Sequence, residues 1–80
     1  MRRDQELVTR FGQNLRRARL ERGMTQADLA RESGLTVTDV GRIERGTREI
    51  RLGTLARLLH GLGAAPEELL SALRLPPEEP

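Results

Sequence analysis

Eighty residues with a net charge of +2 and no cysteine describe one small domain, large enough for a single core but not for a core plus an elaborate active site, and without disulfides or thiolate metal sites. No run of about 18 apolar residues occurs, and "MRRDQELV" has the charge of a leader peptide without its apolar stretch, so a cytoplasmic protein with no membrane span is expected. The charge is uneven: residues 1–22 hold seven arginines against three acids, residues 66–80 hold one against four, and all fourteen basic residues are Arg. A GC-rich genome would by itself favour Arg codons, but a basic N-terminal half can serve phosphate binding whatever its origin, and arginine suits bidentate phosphate and guanine contacts.

Leu7, Phe11, Leu15 and Ala18 recur at helical spacing and mark the apolar face of a first helix from about Asp4 to Arg22, ended by Gly23. Thr25 stands at an N-cap with Asp28 three residues on, a variant of the capping box, and opens a helix to about Glu32 or Ser33. Gly34 breaks the chain, and Thr36 caps a third helix running to about Arg45 before Gly46. "TREIR" connects to a fourth helix marked by Leu52, Leu55, Leu58 or Leu59, and Leu62, and ended by "GLG". Pro66 suits the first turn of a fifth helix, with Glu67 and Glu68 near its positive end. With no strand signal and no repeat, the expectation is an all-α, compact five-helix domain over residues 1–75 and a frayed acidic, Pro-rich tail over 76–80.

The segment "TQADLARESGLTVTDVGRIERG" carries the functional signal. Two short helices meeting at a tight turn need a small residue where they touch, here Ala30. They need a residue tolerant of positive φ in the turn, here Gly34, and branched apolar residues to seat the second helix, here Val40 and Ile43. Its outward positions, Val37, Thr38, Asp39 and Gly41, are small. A glycine inside a helix costs about 1 kcal/mol relative to alanine. Either Gly41 lets the backbone approach a ligand closely, or it is tolerated because Val40 and Ile43 hold the helix by packing.

With "RRARLERGMTQADLA", "SGLT", "GRIERG" and "LARLLHGLG", the chain resembles the Cro/CI-like (XRE) helix-turn-helix family of phage and bacterial repressors over about Phe11 to Leu70. "IERGTREIRLGTLARLL" further resembles the controller proteins of restriction–modification systems. The resemblance implies a lambda repressor-like fold whose third helix enters the major groove of double-stranded DNA. It places Thr36, Val37, Thr38, Gly41 and Arg42 on the DNA-facing side, with Arg42, the one long donor there, reading guanine or holding a phosphate. Gln26 would reach a phosphate or help to position the reading helix, and Asp39 would cap, pair with an arginine or accept from cytosine. Arg45, Thr47 and Arg48 would clamp the backbone, which positions a protein without reading sequence. The resemblance also pairs Arg19 with Glu44 inside the fold, as a structural ion pair.

Enzymatic chemistry finds little support. His60 is the only histidine, late in the fourth helix, with no nucleophile near it in sequence. Without cysteine a metal site is not expected, and neither a cofactor nor a small-molecule effector is. The C-terminal leucines, from Leu52 to Leu75, exceed what one face of two short helices requires. Symmetric pairing would bury the surplus, with Leu70 and Leu73 as the expected interface, and the resemblance agrees in implying a homodimer. The reading is therefore a dimeric, sequence-specific DNA-binding regulator. The alternative is an antitoxin-like or other protein-interaction subunit on the same fold.

Overall fold

All the helices but the fourth start where the sequence supplies a cap or a favourable first turn, and a computed structural model of the chain describes the result for residues 2–75. The helices are α1 (Arg2–Glu21), α2 (Gln26–Ser33), α3 (Val37–Glu44), α4 (Leu52–Leu62) and α5 (Pro66–Leu70). The order and number match the expectation, and the boundaries of α1 and α3 differ from it by at most two residues. The expected frayed tail lies outside the described residues. Among them no helix is long and apolar enough to cross a membrane.

At the start of α2, Thr25 Oγ1 accepts from the Asp28 backbone N–H at 2.9 Å, and Asp28 Oδ2 accepts from the Thr25 N–H at 2.9 Å. Aspartate therefore closes a full capping box. The Thr25 N–H is the main reason the Asp28 carboxyl lies below its ordinary pKa, with the Thr25 hydroxyl and Arg31 adding to it. Thr36 Oγ1 accepts from Asp39 N at 3.0 Å and starts α3. Between them Gly34 takes φ 69, the left-handed conformation that lets the chain reverse within three residues.

Phe11, Leu15, Ala18, Leu29, Ala30, Val40, Ile43, Leu58, Leu62 and Leu69 form one core. In it α1 packs on α3 and α5, and α2 packs on α3 and α4. The face predicted for α1 is inward, although Leu7 is only half-buried. On α4, Leu58 and Leu62 reach the core and Leu55 and Leu59 are partly buried. Leu52, expected on the same face, is 83% exposed because it is the first residue of α4, ahead of the turns that pack on α2.

One contact fixes how closely α1 and α3 approach. A Cβ on Gly12 would lie 2.3 Å from the Ile43 carbonyl oxygen and 2.7 Å from that of Glu44. No side chain fits there, and backbone cannot swing aside as a flexible side chain does. Gly12→Ala should therefore push α3 away from α1 at a cost of about 1–3 kcal/mol, read as a lower urea midpoint in helicity. An unchanged midpoint would show that the two helices separate freely.

Behind α1 a buried amide holds α5. Asn14 Nδ2 donates to Leu69 O at 2.9 Å and to Ser71 O at 2.8 Å, and Arg17 donates to Asn14 Oδ1 at 2.9 Å. The chain then turns through Ala72 at φ 60, an uncommon conformation for a residue with a Cβ, and returns Leu73 to the core.

Candidate nucleic-acid interface

The third helix is amphipathic in a simple way. Val40 and Ile43 are buried against α1 and α2, while Thr36, Val37, Thr38 and Arg42 are exposed on the other side. Arg45, Thr47 and Arg48 follow on the same exposed region as the chain leaves the helix. Thr47 donates both its hydroxyl, at 3.1 Å, and its N–H, at 3.0 Å, to the Arg42 carbonyl. That satisfies an orphan acceptor at the helix end and uses the hydroxyl proton inside the protein.

What fixes this helix is a buried charge cluster. Arg19 Nε donates to Glu44 Oε2 at 2.6 Å and Nη2 donates to Oε1 at 3.0 Å, a bidentate pair whose side chains are 8% and 3% exposed. The third donor, Nη1, reaches the Met24 carbonyl at 2.7 Å. Hydrogen bonding to Glu44 raises the Arg19 pKa above its ordinary value despite the opposing effect of burial. Gln26 Nε2 donates to Glu44 Oε1 at 3.1 Å. Of the two roles expected for Gln26, the structure contains the bond that positions α3.

Gly41 is not an open, outward position: it is buried. A Cβ there would meet Arg45 Nη1 at 3.0 Å and Gln26 Oε1 at 3.7 Å. Val37, Gly41 and Arg45 share one helical stripe, and the Arg45 guanidinium folds back along it over the glycine. In this structure the missing side chain makes room for an arginine. Asp39 pairs with Arg48, one of the roles expected for it, and joins the first turn of α3 to the loop beyond its end.

Two supports of this region were missed in the sequence. Gln5 Nε2 donates to the Gly46 carbonyl at 2.8 Å and so ties the loop after α3 to α1. Arg22 Nε donates to the Leu62 carbonyl at 2.7 Å, and its Nη2 pairs with Glu68 at 3.0 Å, linking α1 to the ends of α4 and α5. Both are long-range bonds from polar residues that look merely solvated on a helical wheel. Among the described residues no group of three or more His, Cys, Asp or Glu is placed to hold a metal ion.

This arrangement of a capped helix, a tight turn and an arginine-bearing second helix has matches elsewhere. The helix-turn-helix family HTH_3 matches residues 15–78. The chain belongs to the XRE-type helix-turn-helix family. As a family member it is 41% identical over 66 residues to an uncharacterized HTH-type transcriptional regulator, y4dL, of Sinorhizobium fredii. That match covers 78% of this chain, which spans only 34% of the regulator's length. The chain is 41% identical over 61 residues to the control protein C.BamHI of Bacillus amyloliquefaciens, covering 75% of each. Among solved structures, the restriction–modification controller protein C.AhdI of Aeromonas hydrophila superposes with a TM-score of 0.75 at 42% identity. That superposition covers 80% of this chain and 96% of the controller. The all-α, five-helix expectation and the family resemblance are thus both met.

A second surface is largely apolar. Leu7, Val8, Phe11, Ile50, Leu52, Leu55, Leu70 and Leu73, together with the charged Asp4, Arg48, Glu49 and Arg51, line a groove between the first half of α1, the loop before α4, the start of α4 and the end of α5. Leu70 is 40% exposed, whereas Leu73 is partly buried and packed against the core. The two residues expected to face a partner therefore stand differently: Leu70 is available, and Leu73 already supports its own protomer.

Proposed function

We infer that this protein is a sequence-specific DNA-binding transcriptional regulator that works as a homodimer in the cytoplasm, with α3 in the major groove. The observation that carries this is the mounting of α3. Its inner face is locked by Val40, Ile43 and the Arg19–Glu44–Gln26 cluster, and its outer face offers two threonines, one valine, an aspartate paired with Arg48, and further arginines. A rigid helix of that kind can present a hydroxyl or a methyl to base edges while the arginines reach guanine or phosphate. Arg42 and Arg45 take part in no ion pair among the described residues.

Two measurements test it. The purified protein alone should bind duplex DNA, with log K falling linearly against log salt. Arg42→Ala should relax the preference at one base-pair position, a loss of about 1–3 kcal/mol there, with the rest of the recovered motif intact. Selection with the variant that returns the wild-type motif unchanged removes Arg42 from the readers. The exposed apolar groove also favours a second reading, a subunit that grips a different protein through α4 and α5. DNA binding absent at low salt would favour that reading over the first.

A further inference from the structure

Among the described residues, one ion pair bridges the exposed flank of α3, and it ties up an arginine otherwise suited to phosphate. Arg48 Nη1 donates to Asp39 Oδ1, with side chains 44% and 26% exposed. Arg42 and Arg45 carry no such partner there. The only other acid of α3, Glu44, is buried and faces away. Asp39 is thus the one carboxylate that α3 exposes, held in place by the backbone bond from its own N–H to Thr36. Partial burial pushes its carboxyl up, but hydrogen bonding at Thr36 and the Arg48 charge outweigh this, and the pKa lies below the ordinary value. The group is therefore ionised at neutral pH.

A carboxylate bound to a guanidinium occupies the place that a phosphate would take. Moving Arg48 to a phosphate breaks the pair and strands a negative charge beside a polyanion, unless the DNA supplies Asp39 with a donor. The amino group of cytosine is the base-edge donor a carboxylate accepts from in the major groove. We propose that Asp39 is a specificity-determining residue, which holds Arg48 back from DNA until a cytosine amino group on the bound sequence takes its place. The proposal rests on α3 being the reading helix. Arg48 then reports sequence indirectly, through the release of its partner, although its own contact is to the backbone.

The experiment compares wild type, Asp39→Asn, Arg48→Ala and the double variant on two duplexes across a salt series. One duplex is the motif recovered by selection with the wild type, and the other is unrelated and of equal length. Asp39→Asn should bind the unrelated duplex about three- to fivefold tighter, the scale of one exposed ion pair. Its salt dependence there should steepen by about one unit as Arg48 reaches a phosphate. It should gain nothing on the selected motif, and selection with it should lose a preference for cytosine at one position. In the Arg48→Ala background the gain should vanish. Arg48→Ala alone, a loop change that leaves the core untouched, should cost more on the selected motif than on the unrelated duplex.

Equal gains on both duplexes, or a gain that survives without Arg48, would overturn the proposal in favour of simple repulsion between Asp39 and phosphate. Equal losses from Arg48→Ala on both duplexes would overturn it too, even if Asp39→Asn fails to fold. A wild type that binds neither duplex would instead remove the DNA-binding reading on which the proposal stands.

Discussion

Glu44→Ala is expected to lower the stability of the domain by about 3–5 kcal/mol, because it leaves the Arg19 guanidinium buried and without its charge partner. The carboxylate accepts three hydrogen bonds, two from Arg19 and one from Gln26, and its side chain is 3% exposed. A domain of this size has a total stability of roughly 4–12 kcal/mol at 0.05–0.15 kcal/mol per residue, so the variant should lose about a quarter of it or more, enough for partial unfolding at room temperature at the lower end of that range. Arg19→Ala should behave similarly, with the added loss of the bond to the Met24 carbonyl. Replacing both residues by methionine should recover much of the loss, since paired apolar side chains of similar size remove the buried charge altogether. Urea titration followed by helicity reads all three. A loss under 1 kcal/mol in Glu44→Ala would show that water reaches Arg19 and that the pair does not fix α3. The double methionine variant then separates stability from function. If the pair exists to aim α3, that protein should fold well and bind DNA poorly, because Gln26 no longer has an acceptor on the helix.

The parts of this structure that could be read along the chain are the local ones. Thr25 with Asp28, Thr36, Gly34 and Pro66 act on backbone groups within four residues of themselves, so their roles follow from spacing alone. Val40 and Ile43 were readable as inward because only one face of an eight-residue helix can be apolar and still leave a polar one. The unreadable parts are close approaches between distant segments. Nothing in "RFGQN" reveals that Gly12 lies under the carbonyls of Ile43 and Glu44, or that Asn14 closes the end of α5. Gly41 falls on the open face of a helical wheel, which carries no information about where the side chain four residues on lies. The leucine surplus was visible in the sequence. Its distribution was not, since it depends on which leucine begins α4 and on the turn at Ala72 that folds Leu73 back.

That distribution decides how the proposed homodimer should be tested. Leu73→Glu would force a carboxylate into a half-buried place against the core, so any loss of pairing would be mixed with loss of folding. Leu52 and Leu70 line the same groove and are exposed, and neither belongs to the core. Leu52→Glu and Leu70→Glu should each give a helical, cooperatively folding monomer. If two protomers meet across the groove, their α3 helices can lie about 34 Å apart, one turn of DNA. Binding of the wild type to a duplex with two half-sites then gains from effective concentration, by about 10²–10⁴ over a single site. The glutamate variants should lose most of that gain and bind an isolated half-site as the wild type does. Mass can be read by sedimentation equilibrium with interference optics, because the chain has no Trp or Tyr to absorb. A wild type that stays monomeric at micromolar concentration, with and without DNA, would sink the dimer. A glutamate variant that remains dimeric would move the interface off this groove. The same groove would then be open to another protein, and the exposed Leu52, which no contact within the described protomer explains, would be the residue to follow.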